Sequence, residues 1–353
     1  MPNPTLEEIC HDWRALDRAE FESDGGIELI GHEAFTAVSD VQLRVIPRGK
    51  LAKLVNKISR RLGSLVYAFQ LLLRCKSSNV LVINGAARIW FYVGLLNRFL
   101  FVRKRKILCW DIFVEVSEGW KQKVMATAMK GITLSVLWSG PQVASHAKFL
   151  GMPEDRFIFI PFKANHTKGP RYDLPIGNYV FACGNGKRDY QCLTDAVRGT
   201  GIPVIICATD PTVRGKIEDL PNIIKLGATE PDFAKLQASS CFMVIPMTYT
   251  GLKGGGEANF CNGMWHEKPV IASDSIAAAD YIIDGETGFI VPSGDSELLR
   301  ERIMTLWNDR ELVEKMGQAG QQHVEKNFTH AAFVRRLMRA AMILGAEESN
   351  ESE

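Results

Sequence analysis

No acidic side chain occurs between Asp40 and Asp111. The same window holds fifteen of the chain's 42 Lys and Arg, so local ion pairs cannot neutralise it. The rest of the 353 residues is net acidic, although the whole chain carries only +2. This asymmetry predicts an anionic partner for the N-terminal half. Also missing is any uninterrupted apolar run of the ~20 residues that a spanning helix needs. The nearest are 62–73 and 89–102, and Asn97 and Arg98 break the second. The first forty residues are acidic and lack the apolar stretch of a signal peptide, so the expected location is cytoplasmic. No Cys-x-x-Cys pair occurs among Cys10, Cys75, Cys109, Cys183, Cys192, Cys207, Cys241 and Cys261. They read as buried thiols of a reducing compartment, not as a zinc site or a disulfide frame.

What is present suits an ordinary globular chain, with 46% hydrophobic and 23% charged residues. Its length fits two domains of about 150 residues. Short apolar strings alternate with helical stretches: "NVLVING" at 79–85, "KILCWD" at 106–111, "ITLSVLWSG" at 132–140 and "RFIFIP" at 156–161. "IELIGHEAF" is a short strand and turn before them. A second series runs through "NYVFACG", "PVIICAT", "NIIKLG", "CFMVIPM", "KPVIAS" and "TGFIVP", with helices from about Asp189, near 231–239 and from about Glu257. Alternation of this kind argues for α/β architecture with parallel sheets wrapped by helices. Residues 1–165 then form an N-terminal domain, the polar, Pro- and Gly-containing 166–177 a linker, and 178–328 a C-terminal domain. Helices at about 295–307 and 309–326 close that domain, and an amphipathic helix at 329–345 packs back across both. Residues 346–353 are a disordered tail.

Residues 50–74 read as one amphipathic helix. Leu51, Leu54, Val55, Ile58, Leu62, Leu65, Val66, Phe69 and Leu73 share a stripe, with Lys50, Lys53, Lys57, Arg60 and Arg61 mostly opposite. Two readings are open. The stripe packs on its own sheet and leaves a solvated basic face, or the helix and the cluster 103–106 meet an anionic membrane surface. Nothing supplies a nucleic-acid-binding motif.

Two glycine-containing turns carry chemistry. "CGNGKRDY" at 183–190 leaves a strand, turns at Gly184 and Gly186, and enters a helix with Lys187 and Arg188 beside it. Helix N-termini and close backbone approach favour an anion such as a diphosphate, and the alternative is an ordinary turn with surface cations. In "GLKGGGEANFCNGMWHEKPVIAS" at 251–273, Gly254, Gly255 and Gly256 precede a helix that starts near Glu257. Their amides can cradle a phosphate or a sugar hydroxyl, with Lys253 as a phosphate partner. Glu257 is either a functional carboxylate or a helix-start residue favoured by the dipole. His146, His166 and His266 have no mutual ligand spacing and read as packing or surface residues.

The stretch "NGMWHEKPVIASDSIAAADYIIDGETGFIVPSGDSELL" resembles the C-terminal signature of the retaining GT-B enzymes of glycosyltransferase family 4. Met264, Lys268, Pro269, Val270, Asp284, Gly285, Gly288, Val291, Pro292, Gly294 and Asp295 fall in register with it. "GNGKRDY" is similar to the donor-phosphate loop of the same family. The resemblance implies two Rossmann-like doubly wound domains facing a cleft. It implies a nucleotide-diphosphate sugar on the C-terminal domain and a glycan or lipid-linked acceptor on the other, with transfer by retention. Lys187 and Arg188 would bind the diphosphate, and no cofactor or metal is implied. There are departures. The family's paired glutamates align with Gly254 and Asn262. Glu257 is the candidate substitute for the first, and Asn262 can still hydrogen-bond a ribose hydroxyl. Where the family often has His-Asp, this chain has Trp110-Asp111. Asp111 or Glu115 can then orient an acceptor hydroxyl, or Asp111 caps the next segment. The competing implication is a non-catalytic GT-B homologue that binds an active transferase.

Overall fold

The computed structural model describes residues 4–18, 29–32, 44–76, 79–85, 89–100, 104–110, 119–169, 171–172, 174–248 and 254–346. Asp111, Glu115, Arg103, Lys253 and the tail beyond Ala346 lie outside the described residues. The chain forms two compact units, Met1–Ile160 with Val334–Glu353, and Pro161–Phe333. The polar stretch 166–177 thus belongs to the second unit, and Val334 onward to the first.

The first unit holds a six-stranded parallel sheet. Its strands are β1 (Leu29–His32), β2 (Arg44–Ile46), β3 (Val80–Asn84), β4 (Lys106–Trp110), β5 (Leu134–Leu137) and β6 (Phe157–Phe159), in the order β2-β1-β3-β4-β5-β6. Its helices before the second unit are α1 (Leu6–His11), α2 (Ala15–Arg18), α3 (Lys50–Ile58), α4 (Arg60–Arg74), α5 (Ile89–Leu100), α6 (Trp120–Met129) and α7 (Gly140–Leu150). Strands β4 and β5 are buried along their whole length. Parallel strands covered on both faces read as continuous apolar runs, which is why the sequence shows strings and not alternation.

The single helix expected over 50–74 is two helices. Ser59 is extended (φ −147°, ψ 119°), ends α3 and caps α4, its hydroxyl accepting from the Leu62 N–H at 3.4 Å. Gly63 lets the two helices approach, since a Cβ there would lie 2.5 Å from the Asn56 Cβ. The expected inner face is also reversed. Ala52, Gly63, Tyr67, Ala68, Leu71 and Leu72 are buried, while Leu51, Leu54, Ile58, Leu62, Phe69 and Leu73 are exposed.

The second unit holds β7 (Val180–Cys183), β8 (Val204–Cys207), β9 (Ile223–Leu226), β10 (Phe242–Ile245), β11 (Val270–Ser273) and β12 (Gly288–Val291), all parallel, in the order β12-β11-β10-β7-β8-β9. Helices α8 (Tyr190–Val197), α9 (Pro211–Arg214), α10 (Asp232–Ala238), α11 (Glu257–Trp265), α12 (Ala278–Tyr281), α13 (Ser296–Asn308) and α14 (Arg310–Asn327) connect and cover them, and α15 (His330–Ala346) follows. Side chains alternate along each strand between two cores. Val180 and Ala182 meet Leu193, Leu299 and Ile303, while Phe181 and Cys183 meet Phe260, Met264 and Phe328. Asp295 and Asp309 cap α13 and α14 by accepting from the Leu298 and Leu312 amides, which sets the break between those helices.

Most of α15 belongs to the first unit, and one buried residue fixes it there. Arg336 is 1% exposed and donates to both carboxylate oxygens of Asp17, from Nε at 2.9 and 3.1 Å and from a terminal nitrogen at 2.6 Å. Its guanidinium also lies 4.2 Å from the Trp13 ring centroid. Arg336→Met should destabilise the protein by about 2–3 kcal/mol, because a buried charge-assisted pair is lost and Asp17 keeps only the longer contact with Arg335 at 3.8 Å. Chemical denaturation checks this, and an unchanged midpoint would refute it.

Candidate functional site

The strand order of the second unit reverses between β7 and β10. The chain lays β7, β8 and β9 toward one edge, then returns to place β10 beside β7 and proceeds to the other edge. Connections diverge at such a switch point and leave a crevice beyond the strand ends. Both glycine-containing turns lie there, one after β7 and one between β10 and α11.

The two strand ends are joined to each other. Arg188 and Met247 form an antiparallel bridge. The Asp189 amide donates to the Pro246 carbonyl at 3.0 Å, and the Thr248 amide donates to that of Lys187 at 3.0 Å. The Arg188 side chain fills the inside of its own turn. Nε donates to the Cys183 carbonyl at 2.7 Å and a terminal nitrogen to that of Gly186 at 3.0 Å, with the Met247 sulfur 2.6 Å from the same nitrogen. Tyr190 donates its hydroxyl to the Gly184 carbonyl at 2.6 Å. Asn185 ties the turn to the end of β8, donating to the Thr209 hydroxyl at 2.7 Å and accepting from the Asp210 amide at 2.9 Å. Met247 is held from the other side, its amide donating to the Ser273 hydroxyl at 2.9 Å. Lys187 is exposed at φ 53° on the outside of the turn. The two cations read together from the sequence therefore differ: Arg188 braces the loop and Lys187 faces solvent.

Two helices start at this crevice. Asp189 caps α8 by accepting from the Cys192 amide. Helix α11 has no side-chain cap, and Gly256 leads into it at φ 95°. A Cβ on Gly256 would lie 2.7 Å from the Phe260 ring, so only glycine fits both the space and the backbone. Gly256 at the N-cap has no side chain to offer the amides at the α11 start, and a helix dipole behind such amides favours an anion. Glu257, the first residue of α11, is 4% exposed. Burial and then the Glu257 charge raise the pKa values of Tyr281 and Cys261. Tyr281 in turn accepts from the Phe162 amide at 2.7 Å.

The sequence reading of Asn262 as a ribose contact meets a competing use. Its side-chain oxygen accepts from the Asn165 amide at 2.7 Å and from the His166 amide at 3.3 Å, and the residue is 4% exposed. A ribose contact through that oxygen would break this anchor. The segment 166–177, expected to be a linker, thus starts with a turn bound to α11.

Two of the histidines read as packing or surface residues meet each other. His166 Nδ1 lies 2.9 Å from His266 Nε2, and His166 Nε2 lies 3.0 Å from a Glu230 carboxylate oxygen. The carboxylate only accepts, so His166 donates from Nε2 to Glu230. Asn262 and His266 are four apart on α11, hence on one helix face, which was the available signal. Their partners are about a hundred residues away in sequence, which gave none. Burial, then the nearby His166, Lys268 and Arg171 charges, lowers the His266 pKa to about 3.

Comparison with known proteins places this architecture. The structure of Anabaena Alr3699/HepE in complex with UDP and glucose covers 98% of this chain and 94% of its own, with a TM-score of 0.60 at 14% identity. The fold is GT-B. The sucrose-phosphate synthase of Thermosynechococcus elongatus gives a TM-score of 0.63 at 17% identity, over 88% of this chain and 82% of its own. Residues 197–309 match the family described as glycosyl transferases group 1. The D-rhamnosyltransferase WbpZ of Pseudomonas aeruginosa is 29% identical over 168 residues, 46% of this chain. The GT-B chain matches 42% of that relative's length.

The His266 environment has a measurable consequence. Its folded pKa of about 3 lies below the ordinary 6.5. Between these values the unfolded chain binds a proton that the folded chain does not, so stability falls as pH drops from 6.5 toward 3. At pH 5 the loss is on the order of 2 kcal/mol. Denaturation free energies measured across this range should show the slope, and His266→Gln should flatten it. An equal slope in the variant would assign the acid sensitivity elsewhere.

Proposed function

We propose that this chain transfers a sugar from a nucleotide-diphosphate sugar to the hydroxyl of a glycan or lipid-linked acceptor, with retention of configuration, on the cytoplasmic side. The observation that carries this reading is the switch-point crevice, where the glycine-led start of α11 and the Lys187–Arg188 turn lie beside the adjoining strands β7 and β10. The group 1 match and the UDP complex of HepE support it. The eight cysteines are all free, which suits a reducing compartment.

In this reading the bond from the anomeric carbon to the phosphate oxygen breaks as the acceptor oxygen bonds the same carbon and face. The acceptor proton passes to the leaving phosphate. The main task of the protein is to stabilise the departing diphosphate. Lys187 meets it directly, with Gly184 and Gly186 allowing close approach. Lys253 and the amides of Gly254, Gly255 and Gly256 bind its other side, and no metal is needed. Arg188 acts by holding the loop in shape. Glu257, buried behind the glycine turn, is a positioning carboxylate for the sugar end, and Asp111 orients the acceptor.

Lys187→Ala should weaken calorimetric affinity for UDP, or for whichever nucleoside diphosphate binds tightest in a panel, by about tenfold or more without changing stability. Arg188→Ala should lower both affinity and stability, the latter by about 1–3 kcal/mol, because three loop contacts are lost. Equal affinity in Lys187→Ala would remove the diphosphate assignment.

Glu257→Gln should cut kcat for transfer at least about tenfold while nucleoside diphosphate affinity and melting temperature stay unchanged, and Glu257→Asp should recover part of the rate. A parallel fall in melting temperature would make Glu257 a structural residue only.

A second reading is favoured by Gly254 and Asn262 standing where the resembled family has glutamates. It makes the chain a non-catalytic GT-B subunit that binds an active transferase. Such a subunit binds nucleotide without transferring or hydrolysing any sugar in a donor panel.

A further inference from the structure

Helix α3 turns its large apolar side chains away from its own unit, and α4 carries apolar side chains on both faces. On α3, the small Ala52 is buried, while Leu51, Leu54 and Ile58 are 64%, 60% and 82% exposed. At 100° per residue these three and Val55 span a sector of about 100°. Lys50, Lys53 and Lys57 adjoin that sector on one side, and all three are exposed. On α4, Gly63, Tyr67, Ala68, Leu71 and Leu72 take the core side. Leu62, Phe69 and Leu73 lie opposite, at 53%, 42% and 59% exposed. The neighbouring α5 ends in Phe99 and Leu100, 66% and 60% exposed, beside Arg98. An exposed apolar surface of this extent marks an interaction site.

The charges around it identify the partner. Neither α3 nor α4 contains an Asp or Glu, and none occurs from 41 to 110. Large apolar side chains bordered by Lys and Arg, with no carboxylate among them, match the interface of an anionic leaflet. A protein partner would instead be expected to meet a mixed polar rim. The elements are too short to span a bilayer. Fifteen residues of α4 make about 22 Å of helix, against a hydrocarbon core of about 30 Å. No described helix is long and apolar enough to cross a membrane.

We propose that α3, α4 and the end of α5 form a monotopic docking surface for an anionic lipid bilayer, with Leu51, Leu54, Ile58 and Leu62 inserting and the α3 lysines pairing with headgroups. The surface lies in the first unit and the nucleotide crevice in the second, so this proposal stands or falls apart from the donor assignment. It gives the basic window a role that sugar transfer does not require, and it brings the chain to the surface where a lipid-linked acceptor resides.

Co-sedimentation of the full chain with vesicles tests it, without donor or acceptor. Vesicles of phosphatidylcholine with phosphatidylglycerol should bind at least about tenfold more protein than phosphatidylcholine alone, and raised salt should reverse the binding. Leu54→Gln with Ile58→Gln should reduce binding several-fold. Lys53→Glu with Lys57→Glu should reduce it at least about tenfold, since each basic residue contributes a factor of about five. Both pairs are solvent-exposed, so circular dichroism and melting temperature should match the wild type, and UDP affinity should be retained. Binding that ignores phosphatidylglycerol, or that survives both double variants, would overturn the proposal. So would a lipid-free dimer in sedimentation velocity that the Leu54→Gln, Ile58→Gln pair dissociates, which would give the surface to a second copy of the chain.

Discussion

The Arg188 guanidinium, gripping the carbonyls of Cys183 and Gly186 and lying against the Met247 sulfur, is the interaction on which the candidate site depends. Parallel strands end with carbonyls that have no partner once the ladder stops, and buried carbonyls must be satisfied. At the β7 end this side chain supplies the donor. Because it satisfies its own turn, the backbone of Lys187 and Arg188 is free to pair with Met247 and Thr248. The end of β10 is thereby fixed, and with it the start of the glycine turn that leads to α11. A guanidinium suits this role better than an ammonium because its planar fork reaches several acceptors at once.

The strands were legible because parallel sheets are covered on both faces, so β7, β10 and β11 appear as unbroken apolar strings with polar or glycine ends. The second unit was legible to within a residue or two at its helix starts, where Asp189, Asp295 and Asp309 cap and announce themselves chemically. Long-range pairing was not legible. The contact of His166 with His266 and Glu230 depends on how the turn at 165–168 lies on α11, and no local pattern encodes that placement.

That the sequence left two readings of the α3 and α4 stripe open has a more general physical cause. Periodicity tells which residues share a face, not which face the body takes. Close helix packing favours small residues, and here Ala52, Gly63 and Ala68 occupy the inner side, with Gly63 directly against Asn56. On α4, Tyr67, Leu71 and Leu72 are buried as well, while Leu51, Leu54, Ile58, Leu62, Phe69 and Leu73 of the two helices stay exposed. Helix α3 turns its large apolar residues outward, and α4 carries apolar residues on both faces, in a window without a single carboxylate. The basic asymmetry read from composition and the outward stripe found in the fold are two views of the same surface.

The departures at α11 follow a related logic. Asn262 supplies an amide oxygen to the Asn165 and His166 backbone. One turn further along the same face stands His266, buried and held neutral with its pKa lowered to about 3. A carboxylate four residues before it would favour the imidazolium and draw a proton into a site already crowded by Lys268 and Arg171. The neutral Asn262 accepts the same two amide protons without importing that charge. Asn262 therefore goes together with the histidine pair and the anchored turn as one hydrogen-bonded network. An amide at this position adds no charge to the α11 face.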